Sequence, residues 1–97
     1  MVTITLPRLI GTREAAHRLI DDSRVDDSLR GSTVSIVARN LSTATMSFTD
    51  ELLSALEEGG ASDIVVIRPP ADFHEQVDSV VRERGFTNVR IADSVAA

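Results

Sequence analysis

The sequence predicts a small α/β domain of order βαβαβαβ, with about four strands in a largely parallel or mixed sheet and about three helices. Three observations carry this reading. Apolar residues repeat every second position in some segments and at helical spacing in others, and the two kinds of segment alternate along the chain. The connections between them are short, so right-handed crossovers are the economical topology. Finally, 97 residues with 42% hydrophobic content leave room for one core, so residues 1–97 are read as a single domain.

Val2, Ile4 and Leu6 alternate with Thr3 and Thr5, and Pro7 closes the run, which predicts an edge strand with one buried face. Thr12 can cap a helix over 13–22, where Ala15, Ala16, Leu19 and Ile20 fall at helical spacing. Glu14 then sits in the first turn, where the helix dipole favours a carboxylate. Residues 21–31 are polar enough to be a loop or a frayed helix end. Ser32 to Arg39 is β-branched and mostly apolar, the composition of a central strand, and 40–46 form a Ser/Thr-rich loop.

The second helix is expected from Phe48 to Glu58, with Phe48, Leu52, Leu53, Ala55 and Leu56 on one side and Gly59-Gly60 as its stop. Asp63 to Arg68 follows as a strand. Its apolar run Ile64-Val65-Val66-Ile67 predicts burial on both faces, by helices above and below or by a partner over one side. Pro69-Pro70 ends it. Phe73, Val77, Val80 and Val81 place a third helix that Gly85 terminates, and Val89 and Ile91 around Arg90 give a last short strand.

Composition removes much chemistry. The chain has no Cys, which excludes disulfides, thiolate catalysis and cysteine-ligated metals. All ten basic residues are Arg, so Schiff-base and P-loop lysine chemistry are excluded as well. A net charge of −5 disfavours nucleic acid, because fifteen carboxylates repel a polyanion. No apolar run approaches the roughly 20 residues that span a bilayer, and a cytoplasmic protein is expected.

Among motifs, Thr45-Met-Ser-Phe-Thr-Asp-Glu-Leu-Leu53 is the most informative. Ser47 and Asp50 stand in the spacing of a capping box, in which the hydroxyl accepts the Asp50 N–H and the carboxylate reaches back to the Ser47 N–H. A serine at such a start is also open to a kinase, and a phosphate there adds about −1.5 to −2 charges beside Asp50 and Glu51. Thr49 is a second phosphoacceptor candidate. Phe48 is either core or an anchor facing a partner. His17 and His74 lack metal-ligand spacing, no Gly-x-Ser-x-Gly elbow surrounds Ser47, and Asp21-Asp22 with Asp26-Asp27 lacks the glycine and glutamate of a calcium loop. No phosphate-cradling glycine motif is present, so no catalytic residue, metal or cofactor is assigned.

Gly11-Thr-Arg-Glu-Ala-Ala16 opening a helix, the strand Val34-Ser-Ile-Val-Ala38, and the short loop into Met46-Ser-Phe-Thr-Asp-Glu-Leu-Leu53 together resemble STAS-like domains related to bacterial anti-sigma-factor antagonists. The likeness spans roughly residues 10 to 91. Antagonists of this family show Asp-Ser-Ser-Gly at the junction, whereas this chain has Thr45-Met46-Ser47-Phe48, as in the divergent STAS-like branch. The resemblance implies a non-enzymatic regulatory module whose second helix docks a kinase or anti-sigma-factor-like ATPase. It makes Ser47 the phosphoacceptor and Phe48, Asp50 and Glu51 the partner-binding residues. Two other readings stand beside it: a homo-oligomeric α/β domain, such as a homodimer, without a phosphoswitch, and a small-molecule-binding domain using the loop over 42–49.

Overall fold

The structure, a computed structural model, describes residues 2–23 and 29–93. In chain order the elements are β1 (Val2–Thr5), β2 (Leu9–Ile10), α1 (Arg13–Ser23), β3 (Thr33–Val37), β4 (Thr43–Ala44), α2 (Met46–Glu58), β5 (Asp63–Ile67), α3 (Ala71–Arg84) and β6 (Val89–Ala92). The main sheet has the order β1-β3-β5-β6, every pair parallel, and β1 is an edge as its proline-terminated pattern predicts. Two elements go beyond the expected set. β2 and β4 pair in parallel as a separate two-stranded ribbon, so part of the expected loop over 40–46 is a strand.

Pleating and register sort the strand residues onto two faces. Val2, Val34, Ile64 and Val89 form one row across the sheet and Ile4, Ile36, Val66 and Ile91 another, both on the same face. Thr3, Ser35, Val65 and Arg90, then Thr5, Val37, Ile67 and Ala92, occupy the opposite face. A parallel sheet whose strands lie in sequential order, joined by crossovers of one hand, carries all its helices on one side.

The core agrees. Ala16 and Ile20 of α1, Phe48, Leu52, Leu53 and Leu56 of α2, and Phe73, Val77 and Val80 of α3 cluster with Val2, Ile4, Val34, Ile36, Ile64 and Val66. Each fully buried side chain of this kind contributes about 1.5–3 kcal/mol. The expectation of helices above and below β5 is therefore corrected. Val65 and Ile67 are nearly buried, yet they lie on the helix-free face and outside that core cluster.

The helix ends follow local chemistry. The Thr12 hydroxyl accepts the Ala15 N–H at 3.0 Å, as expected for the cap of α1. α1 runs through Ser23. Residues 24–28, including Asp26 and Asp27, lie outside the described residues. Leu29, in the segment read as polar, is buried against Gly59, where an added Cβ would stand 2.5 Å from the leucine Cδ1. α3 ends at Gly85 in the left-handed conformation, φ 72°, with its N–H on the Val81 carbonyl. No helix among the described residues is long and apolar enough to cross a membrane.

Candidate functional site at the start of the second helix

The ribbon of β2 and β4 delivers the chain to α2. Ser42 and Thr43 donate their N–H groups to the Arg8 carbonyl at 2.8 and 3.1 Å, and Ile10 pairs with Ala44. Thr45 then stands in extended conformation as the N-cap: its hydroxyl accepts the Phe48 N–H at 3.2 Å and donates to the Gly11 carbonyl at 2.9 Å. Gly11 permits this approach, since a Cβ there would meet the Thr45 methyl at 3.1 Å.

The helix thus begins at Met46, two residues earlier than the sequence predicts, and the expected capping box is corrected. Ser47 lies within the first turn. Asp50 does not reach back to it, because both Asp50 oxygens are held by Arg84, Nε on Oδ1 at 3.0 Å and Nη2 on Oδ2 at 2.9 Å. This fork-to-fork geometry fixes both groups and raises the Arg84 pKa through the hydrogen bond to Asp50.

Ser47 is exposed, and its hydroxyl makes no hydrogen bond with a described residue. The other two apolar or hydroxyl candidates behave differently. Thr49 is wholly buried and shares its hydroxyl proton between the Gln76 Oε1 at 2.7 Å and the Thr45 carbonyl at 3.2 Å, so no kinase can reach it. Phe48 is likewise wholly buried in the core, which removes it as a partner-facing anchor. Helical geometry explains both corrections: starting at Met46 turns positions 48, 49, 52, 53 and 56 inward together.

Glu51 stays at the surface, bridged by Arg13, Nη1 on Oε1 at 2.9 Å, and by His17, whose Nε2 lies 2.7 Å from Oε2. The hydrogen bond with His17 is the main reason that the Glu51 carboxyl is held below its ordinary value of 4.5, with Arg13 adding to it against a desolvation that pushes upward. Both carboxylates named from the sequence, Asp50 and Glu51, are therefore occupied by groups that the sequence did not connect to them. Gln76 was missed too: it accepts from Thr49 and donates to the Ala44 carbonyl at 2.9 Å, tying α3 to α2 and β4.

Arg13, Met46, Ser47, Asp50, Glu83 and Arg84 line a cleft of about 420 Å³ over this turn. Met46, which lines it, is 40% exposed; Leu9 of β2, 71% exposed, lines a different cleft with Pro7, Arg18, Leu19 and Asp22, and these two are the large apolar side chains most open to solvent among the described residues. Neither histidine approaches Ser47 by hydrogen bond: His17 engages Glu51, and His74 lies 3.6 Å from Asp78. Among the described residues no group of three or more His, Asp or Glu side chains is placed to hold a metal ion. The arrangement offers a hydroxyl, the Met46 side chain and two arginines in one cleft, a set suited to docking and to receiving an anion. Set against the models of known families, the curated proteins and the solved structures, the chain finds no significant match.

Proposed function

We propose that the chain is a non-enzymatic regulatory module of the cytoplasm that docks a protein partner at the start of α2, in the manner of the STAS-like relatives of bacterial anti-sigma-factor antagonists it resembles. The partner is a kinase or an anti-sigma-factor-like ATPase, and phosphorylation of Ser47 tunes the contact. The observation that supports this reading is the exposed Ser47 in the first turn of α2, in one cleft with the 40% exposed Met46 and with Arg13 and Arg84. Exposed apolar side chains beside a polar rim are the anatomy of a partner surface.

A phosphate on Ser47 would add about −1.5 to −2 charges in the first turn of α2. Asp50 and Glu51 would oppose it, but each already holds an arginine. The phosphoryl group would compete for Arg84 and Arg13 and so rearrange the docking surface. The test is binding of the purified chain to the kinase-type ATPase it retains from native lysate, measured with surface variants that keep the circular dichroism of the wild type. Met46→Asp is expected to lose binding, and Ser47→Asp to weaken it about tenfold while Ser47→Ala does not. Binding indifferent to Met46→Asp overturns the reading.

A further inference from the structure

A different set of groups collects where the parallel strands end. Arg8 follows β1, Arg39 follows β3 and Arg68 follows β5, three strands adjacent in the sheet. Backbone bonds hold these ends side by side: the Leu6 N–H donates to the Val37 carbonyl at 2.9 Å, Ala38 to Ile67 at 3.0 Å and Arg68 to Ala92 at 2.8 Å. With strands about 4.8 Å apart, the three ends span roughly 10 Å. All three arginines are exposed, and none forms an ion pair or side-chain hydrogen bond with a described residue. A chain with five more carboxylates than cations thus keeps three guanidinium groups along one edge without an ion pair to a described residue.

Arg68 adds a second, independent observation. Its φ is +51°, and no other non-glycine residue among the described ones has a positive φ. That conformation costs a residue with a Cβ about 1–2 kcal/mol, and glycine would make the same turn without it. The Arg68 side chain makes no ion pair with a described residue in return. Strain kept at an exposed position points to a use for the side chain rather than for the turn.

The same edge opens into a cleft of about 560 Å³ lined by Thr5, Leu6, Pro7, Arg8, Leu19 and Asn40. This volume suits a small molecule. α1, α2 and α3 all begin on this edge, so the positive ends of their dipoles turn toward it.

We infer that this edge binds a small organic oxyanion, its phosphate or carboxylate head held by Arg8 and the Asn40 amide that line the cleft and attracted by Arg39 and Arg68 at the neighbouring strand ends, its apolar part against Pro7 and Leu19. The guanidinium fork matches either head group. Its cleft shares no lining residue with the cleft at Ser47.

The test is a titration of the full chain at low ionic strength, followed by amide chemical shifts, with phenyl phosphate, benzoate and inorganic phosphate as probes. Shifts centred on residues 5–8, 39–41 and 68 are expected. Binding of phenyl phosphate without benzoate assigns a phosphate head, and the reverse assigns a carboxylate. Arg8→Gln and Arg39→Gln should each weaken binding about tenfold. Arg68→Gly should weaken it as well while leaving Tm unchanged or higher, a combination that a purely structural role for Arg68 would not give. The inference is overturned if no probe moves these residues at millimolar concentration, if the variants bind like the wild type, or if the shifts centre on Arg13 and Arg84 instead.

Discussion

The two faces of the main sheet are made by the same four strands, yet they are different surfaces. On the helix-covered face every in-register row is aliphatic, Val2-Val34-Ile64-Val89 and Ile4-Ile36-Val66-Ile91. On the other, apolar residues occupy the middle, Val65, Ile67 and Val37, while Thr3 and Thr5 stand at one edge and Arg90 at the other. Three helices on one side suffice for the core, and the second face is polar where it is open. The lesson is that side-chain alternation in a parallel strand reports how much cover each strand has, not how much the sheet has: β1 alternates cleanly, whereas central β5 is apolar on both faces because its neighbours shield it.

The contrast is broken most strongly by truncating neighbours in β5. Ile64→Ala, on the covered face, should cost about 2–5 kcal/mol in urea unfolding. Val65→Thr, one residue on and facing the other way, sets a hydroxyl where the side chain is 4% exposed and should cost about 1–3 kcal/mol. Equal losses would show that both faces are covered. Next in size, Thr49→Val strands the Gln76 Oε1 under the helix layer and should cost about 1–3 kcal/mol, read from the same unfolding curves.

Thr45→Ala removes the α2 cap and its tie to Gly11 and should cost about 1 kcal/mol, whereas Ser47→Ala should cost nearly nothing, the reverse of what a Ser47 cap requires. The smallest effect belongs to the helix surface. Because the Glu51 carboxyl is held below its ordinary value, its contribution is complete above about pH 5 and disappears as pH falls through the lowered value. Glu51→Gln should therefore lose less than about 1 kcal/mol at neutral pH, with wild type and variant converging in acid unfolding as pH falls through the lowered value.

Much of the fold was legible in the sequence because its signals are periodic. The alternation of β1, the helical spacing of Phe73, Val77 and Val80, and the glycine stops after α2 and α3 all match the structure. What was not legible depends on the third dimension. Thr45 and Ser47 both offer a hydroxyl before the same apolar run, and only the tie to Gly11, thirty-four residues away, selects Thr45. β2 and β4 are two residues each, too short to show a period. Leu29 sits in a polar stretch and is buried by Gly59. At the candidate site, Ser47 was found, but the partners of Asp50 and Glu51 come from other helices, and Gln76 carries no local signal at all.

The all-parallel, sequential order also governs how the chain can reach this state. No two strands of the main sheet form a hairpin, and residues that pair across it are roughly 30 positions apart. Each pairing must wait for a loop that contains a whole helix to close, so the entropy of closure is spent before any ladder bond returns it. The molecule therefore has no small piece that can assemble early and stand alone, and its topology is settled by a few late, long-range encounters around β3 and β5.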